Sequence, residues 1–153
     1  MRRALQDWLK SDRSFDIKNR DDTFNEITKT VGSAVDFIIT GHTHLERAIA
    51  MGGNRFYFNS GTWVRLARFT ESMLKDKASF KPVYELLVNN QGGLELFDRA
   101  KFRDNNGVTT PFVLDQTSAV SITKENGKAI GRLVHVDGVS DINPLEIIRF
   151  CKV

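Results

Sequence analysis

The spacing of apolar side chains predicts two helices near the start of the chain. Over residues 4–9 the apolar positions fall on one helical face, and the charged stretch that follows is typical of a loop. Thr23 and Glu26 have the spacing of a capping box, and Gly32 is placed to end the helix that begins there. We therefore expect a short amphipathic helix, a loop and a second helix in this region.

A continuous apolar run follows the second predicted helix. Residues 34–40, AVDFIIT, show no alternation of apolar and polar side chains, which is typical of a strand buried on both faces. Another strand is predicted over residues 54–58, NRFYF, and the Asn-Ser-Gly that comes next would end it. A helix that leads into a buried strand is the order of elements in a layered α/β protein.

The middle of the chain has a less regular pattern. Leu66, Phe69 and Met73 are spaced as in a third helix. Pro82 is placed to open a fourth helix across PVYELLV, and a strand is the alternative for this segment.

Short β-like runs dominate from residue 92 onward, separated by turn signals. Glu125-Asn126-Gly127 is typical of a tight hairpin turn, because Asn-Gly accepts the positive φ angles that such a turn needs. The second half is therefore predicted to be β-rich, and the chain is expected to form one folding unit. The β-like runs are LELFD, TPFVLD, SAVSITK and AIGRLVHV.

Composition and charge narrow the functional classes. The 153 residues are 41% hydrophobic and 27% charged, which is typical of a globular domain. No apolar run is long enough to cross a bilayer, and MRRALQDWLK lacks the apolar core of a signal peptide. Cys151 is the single cysteine, so no internal disulfide is expected and a cytoplasmic location is predicted. The net charge of +3 is small and scattered, and gives weak support to a nucleic-acid partner.

Two of the three histidines stand directly after the buried strand, on either side of Thr43. We expect Gly41 to let the backbone turn sharply, so that His42 and His44 lie at the carboxyl end of the strand, where open α/β sheets bind ligands. Neutral imidazole is a common ligand of first-row divalent metals, so the pair is predicted to bind metal. The alternative is that both are ordinary polar residues.

VDFIITGHTH followed by YFNSGTW resembles the last motif block of the calcineurin-like metallophosphoesterases. That block has Gly-His-x-His at a strand end and then a strand that leads into an Asn-x-Gly turn. The resemblance covers about residues 20–65. It implies a two-sheet β-sandwich flanked by helices, with residues 1–100 as the C-terminal part of that α/β domain and 101–153 as a β-rich hairpin extension packed on it.

The resemblance also implies a dinuclear site that hydrolyses a phosphomonoester or phosphodiester with a metal-activated water. His42 would bind one divalent ion and His44 the other, with manganese, iron and zinc all open. Asn59 and Gly61 match the turn beside the site, where they would shape it; a plain turn is the alternative.

The other motifs of the family have no counterpart here. The residues before Gly41 contain neither a histidine nor a Gly-Asp pair, and His135-Val136-Asp137 reverses the order of Asp-x-His, so we interpret it as an ordinary hairpin strand. The isolated chain is therefore expected to be inactive. The missing ligands would come from an N-terminal half on the same or another chain. A non-catalytic module, metal-stabilised or partner-binding, is the alternative.

Overall fold

The computed structural model describes residues 1–89, 93–103, 107–115, 117–136 and 145–152. The helices are α1 (Arg2–Leu9), α2 (Asp22–Thr30), α3 (Glu71–Leu74), α4 (Lys77–Val88) and α5 (Gly93–Arg99). The strands are β1 (Phe37–Thr40), β2 (Arg47–Gly52), β3 (Arg55–Asn59), β4 (Arg65–Ala67), β5 (Lys101–Arg103), β6 (Thr109–Pro111), β7 (Val113–Asp115), β8 (Ser118–Glu125), β9 (Lys128–His135) and β10 (Leu145–Cys151). In these ranges, none of the helices has both the length and the apolar character to span a membrane. The predicted mixed α/β class is confirmed.

The chain divides into two compact units that are interleaved in sequence. The helical unit combines residues 1–12 with 65–115, and the sheet unit combines residues 13–64 with 116–153. The sequence predicted one folding unit, with a boundary between residues 100 and 101 that falls inside the helical unit. The chain leaves the sheet unit after Val64 and returns to it near residue 116. No local sequence pattern predicts that a chain will leave one unit and later return to it.

The first sheet of the sheet unit has the order β1-β3-β2, with β1 parallel to β3 and β2 antiparallel to it. Phe37 pairs with Phe56 and Thr40 pairs with Asn59, so the carboxyl ends of β1 and β3 lie side by side. The sequence predicted that this first strand is buried on both faces, and this is wrong. Ile38 is 6% exposed and Ile39 is 51% exposed, and because successive side chains point to opposite faces, only one face of β1 is well covered.

The second sheet of this unit has the order β10-β9-β8 and is antiparallel throughout. The predicted strands SAVSITK and AIGRLVHV are confirmed as β8 and β9. The predicted turn between them is also confirmed, because Asn126 and Gly127 have φ angles of 50° and 80°. Leu133 of β9 shares a buried cluster with Phe56 and Phe58 of β3. The two-sheet sandwich of the metallophosphoesterase type stays a prediction.

The helical unit packs around a ring cluster centred on Phe112, which is fully buried. Leu5 and Leu9 of α1 pack against this cluster, as the amphipathic pattern predicts, whereas Trp8 is 80% exposed. The rings in contact with Phe112 are those of Phe69, Phe97 and Phe102.

Three predictions in the helical unit are wrong. LELFD belongs to helix α5 rather than to a strand, and of its apolar residues only Phe97 packs against the cluster, whereas Leu94 is 73% exposed. Leu66 lies in β4, so the third helix is only α3, which Thr70 caps. Pro82 lies inside α4 rather than at its start, because Asp76 caps that helix by accepting a hydrogen bond from Ser79 N.

The cap of α2 also differs from the prediction. The spacing of Thr23 and Glu26 predicted a capping box, but Asp21 is the N-cap and its Oδ1 accepts from Phe24 N at 2.9 Å. Aspartate is as good a cap as threonine or better, and its position sets the first helical residue two places earlier. Phe24 then faces Tyr57, with ring centroids 5.1 Å apart, and holds α2 against the first sheet.

Candidate functional site

The two predicted motif segments meet at the carboxyl edge of the first sheet. His42 and His44 lie in the loop that follows β1, and Asn59 ends β3 before the turn at Ser60-Gly61. Because β1 and β3 are parallel and Thr40 pairs with Asn59, the two segments leave the sheet together. The sequence predicted that each segment follows a strand. The pairing register of β1 and β3 shows that both segments lie at the same edge of the sheet.

Asn59 joins these two segments by hydrogen bonds. Its side chain is fully buried, Oδ1 accepts from Gly61 N at 2.8 Å, and Nδ2 donates to Thr43 Oγ1 at 2.7 Å. Beneath it, Tyr57 Oη lies 2.8 Å from Thr40 Oγ1. A buried amide whose donor and acceptor are both engaged fixes the position of its partners, so the histidine loop is attached to the turn after β3.

Gly61 is required by the backbone at this turn. Its φ angle is +69°, and a Cβ there would lie 3.2 Å from both Glu46 N and Leu45 C. Gly41 is different, since its φ angle is not in the left-handed region and a Cβ would meet Ser60 Oγ at an ordinary 3.5 Å. The left-handed residue of this loop is therefore His42, which has a φ angle of 67°, rather than Gly41.

His42 and His44 are both exposed, and no hydrogen bond within the described ranges engages either imidazole. His42 lines a groove of about 540 Å³ together with Gly41, Ser60, Gly61 and Trp63. His44 does not line this groove. The ring nitrogens of both residues are available to bind a ligand, and the structure brings only His42 into the groove.

A cluster of polar side chains that the sequence did not predict reaches the same groove through Ser118. His135 Nε2 is 2.7 Å from Glu46 Oε2, and Ser118 Oγ donates to the same oxygen at 2.5 Å. The side chains of His135 and Glu46 are only 21% and 12% exposed, and Ser118 lines the groove. Glu46 therefore orients the Ser118 hydroxyl at the groove wall and holds His135 behind it.

His135 does lie in a strand, but its hydrogen bond with Glu46 makes it more than an ordinary strand residue. Two signals were present in the sequence: a carboxylate soon after the histidine pair, and a third histidine in the run AIGRLVHV. Neither specifies the pairing, because Glu46 lies in the loop before β2 and His135 ends β9, 89 residues later in the sequence. Asp137, the other polar residue of that predicted segment, lies outside the described residues.

The donor set at the strand ends fits part of a metal site. Two exposed imidazoles without hydrogen-bond partners are suitable ligands for a divalent first-row metal. Among the described residues, however, no group of three or more histidine, cysteine, aspartate or glutamate side chains is placed to hold a metal ion. His42 and His44 therefore fit as contributors to a metal centre, and further ligands are needed to complete it.

No protein-family model matches the chain, and no curated protein or solved structure matches it at a significant level. The resemblance to calcineurin-like metallophosphoesterases thus depends on the residues quoted from the two segments.

Proposed function

We propose that the chain supplies the last metal-ligand block of a metal-dependent phosphoesterase. The observation that carries this proposal is the attachment of the His42-Thr43-His44 loop to the turn after β3 through the buried Asn59 side chain. A phosphomonoester or phosphodiester is the proposed substrate, and His42 and His44 are the proposed ligands of two divalent ions.

The chain's own residues have definite roles in this proposal. His42 and His44 present imidazole nitrogens, Asn59 fixes the loop that carries them, and the groove of about 540 Å³ beside His42 receives the ester. That volume is within the usual range for small-molecule sites. The bound metal ions would polarise the phosphate oxygens and lower the pKa of a bound water.

The exposed side of β1 supports the need for a second contributor. Within the described ranges β1 pairs only with β3, and the apolar side chains of Val35 and Ile39 beside that edge are 41% and 51% exposed. An open strand edge flanked by apolar side chains is a surface on which another segment can dock. An N-terminal half on the same or another chain would cover this edge and provide the missing carboxylates.

The first test is calorimetric titration of the purified chain with manganese and with zinc. We expect weak binding that is reduced in His42→Ala and in His44→Ala and lost in the double variant, because each substitution removes one of the few ligands available. His135→Gln is the matched control, since it removes the third histidine, which lies outside the pair, and should leave metal binding intact.

Hydrolysis of bis-p-nitrophenyl phosphate by the same samples tests the incomplete site. We expect no metal-dependent turnover by the chain alone. Turnover that disappears in His42→Ala would support the phosphoesterase and contradict the need for a second contributor. Metal binding that survives in the His42→Ala/His44→Ala double variant would overturn the proposal, and would favour the non-catalytic partner-binding module.

A further inference from the structure

A second groove, of about 610 Å³, lies in the helical unit between the start of α1 and the first turns of α4. Its lining combines basic side chains with two aromatic rings, and no carboxylate is among its described lining residues. The basic side chains are those of Arg2, Arg3, Lys77 and Lys81, and the rings are those of Phe80 and Tyr84. The groove therefore has the charge and the flat apolar surface that suit an anion with an aromatic part.

The groove residues of α4 form a row along one helical face. Lys77, Lys81 and Tyr84 are spaced i, i+4 and i+7, so they line up over about 10 Å of helix. Phe80 is buried in the helical unit, and its ring centroid is 6.4 Å from that of Tyr84. The Phe80 ring thus packs beside the Tyr84 ring, while 47% of the Tyr84 surface remains exposed.

The basic side chains have little competition for an anion. Arg2 is held in place, since its Nη1 donates to the carbonyl oxygens of Leu74 at 2.7 Å and Lys75 at 3.2 Å. Lys81 lies 3.8 Å from Glu85, but both side chains are more than half exposed, and such pairs are weak. Within the described ranges no ion pair engages Arg3 or Lys77.

We propose that this groove binds single-stranded nucleic acid, with phosphates on the Arg3, Lys77 and Lys81 side chains and a base stacked on Tyr84. A row of cations fits a polymer of phosphates better than a single phosphate group. An exposed ring can stack only on a base whose face is free, and duplexes hide those faces. Duplex DNA is therefore the less suitable ligand.

This binding site is independent of the proposed phosphoesterase centre, because no residue is shared between them. Along the sequence, the small and scattered net charge gave only weak support to a nucleic-acid partner, and Arg2 and Arg3 stand far from the other groove residues. The helical unit brings them together with Lys77, Lys81 and Tyr84, which are distant in the sequence.

The test is fluorescence anisotropy of a labelled oligothymidylate of about 15 nucleotides, titrated with the full chain over a series of salt concentrations. Lys77→Gln/Lys81→Gln should weaken binding and lower the slope of log affinity against log salt by about 1.4, which is about 0.7 for each phosphate that is no longer neutralised. Lys124→Gln/Lys128→Gln is the matched control, because it removes the same charge from exposed positions of the β8–β9 hairpin and should leave the slope unchanged.

Substitutions of Tyr84 distinguish base stacking from purely electrostatic binding. Tyr84→Leu should weaken binding at least about five-fold, since a base stacked on an aromatic ring contributes about 1–3 kcal/mol. Tyr84→Phe retains the ring and should bind like the original chain. Circular dichroism of each variant checks that α4 is intact.

Three outcomes would overturn the proposal. The first is no binding by the original chain at low salt, and the second is equal weakening in the groove variant and in the hairpin control. The third is displacement by inorganic polyphosphate at an equal phosphate concentration combined with full binding by Tyr84→Leu, which would make the groove a general polyanion site.

Discussion

His42 has a positive φ angle, which few residues other than glycine adopt, and it stands in the loop that carries the predicted metal ligands. A φ angle of 67° in a residue with a Cβ costs about 1–3 kcal/mol. Such strain persists only where the surroundings fix the chain, and here Asn59 binds the next residue, Thr43, from the turn after β3. The loop is therefore held in one shape, which is what a ligand-binding side chain needs.

Replacement of Asn59 should release that loop. In Asn59→Ala the half-buried N–H of Gly61 loses its acceptor, and the Thr43 hydroxyl loses the amide donor but keeps its own bond to Leu45 O. Leaving a buried polar group unsatisfied costs about 1–3 kcal/mol. We expect the free energy of unfolding to fall by at least about 2 kcal/mol and the Gly61 amide to lose its protection from hydrogen exchange. Urea unfolding and exchange measured by NMR check both.

Thr43→Ala is the matched comparison for Asn59. It removes one of the two hydrogen bonds and leaves the bond from Gly61 N to Asn59 Oδ1, so the Gly61 amide should stay protected. Protection of the Gly61 amide that survives in Asn59→Ala would contradict the role assigned to Asn59.

At the scale of elements, β9 passes close to the first sheet because Gly131 has no side chain. A Cβ at this position would lie 2.7 Å from both Phe37 Cε1 and Phe58 Cε2, and Phe58 is fully buried. The aromatic rings of one sheet thus occupy the space that a side chain on the other would need. This glycine is explained by packing rather than by a turn.

Gly131→Ala should therefore destabilise the sheet unit. Forcing a methyl group into a packed core typically costs about 1–3 kcal/mol, and the buried ring of Phe58 has nowhere to move. Gly32→Ala is the control, because a Cβ there has no neighbour within 4 Å and its φ angle is not in the left-handed region. Equal urea midpoints for the two variants would contradict the close approach of β9.

The antiparallel sheet also carries a charge network with a predictable pH response. Arg132 Nη2 donates to Glu125 Oε1 at 2.5 Å, and this bond is the main reason that the pKa of Glu125 lies below its ordinary value of 4.5. Arg149 adds a second hydrogen bond, at 2.9 Å, to Glu125 Oε2. A carboxyl whose pKa is lowered by folding stabilises the folded state above its unfolded pKa, and the contribution disappears as pH falls through the folded value.

Arg132→Gln should raise the pKa of Glu125 toward 4.5 and reduce the loss of stability below that pH. NMR titration of the Glu125 carboxyl measures the first effect, and urea midpoints at pH values from about 7 to about 3 measure the second. The control is Arg99→Gln, which breaks a pair whose side chains are 81% and 78% exposed. An unchanged Glu125 titration in Arg132→Gln would contradict the assigned cause.

At the scale of the whole molecule, local signals predicted several elements but not their assembly. The β8–β9 hairpin follows from Asn126-Gly127 and from short apolar runs on either side, because turn and strands depend on neighbouring residues. The partition into two units was missed, since it depends on where the chain leaves one core and returns.

The candidate site likewise contains residues that a local pattern predicts and contacts that no local pattern predicts. Gly41, His42 and His44 could be found in one segment, whereas the hydrogen bond between Glu46 and His135 joins the loop before β2 to a strand 89 residues later. No local pattern encodes such a pairing. Sequence therefore predicted the histidine pair but not the side chains that lie around its groove.

The two units have separate buried clusters, and this predicts how core substitutions combine. Phe112 is fully buried in the helical unit and Leu133 is fully buried in the sheet unit, and among the described residues their two clusters have no member in common. Leu133→Ala should cost about 2–5 kcal/mol, and Phe112→Leu less than the about 3–5 kcal/mol of a Phe→Ala truncation. The double variant should show an interaction energy below about 0.5 kcal/mol in urea unfolding.

The same pair of variants tests whether the histidine loop belongs to the sheet unit alone. Phe112→Leu should leave the NMR chemical shifts of His42 and His44 unchanged, because every described residue of the cluster around Phe112 belongs to the helical unit and the loop belongs to the sheet unit. Leu133→Ala should shift them, since Leu133 packs in a cluster with Phe58, the residue before Asn59. Perturbation of the histidines by Phe112→Leu would mean that the helical unit helps to shape the site, and the loop would then depend on both units rather than on one.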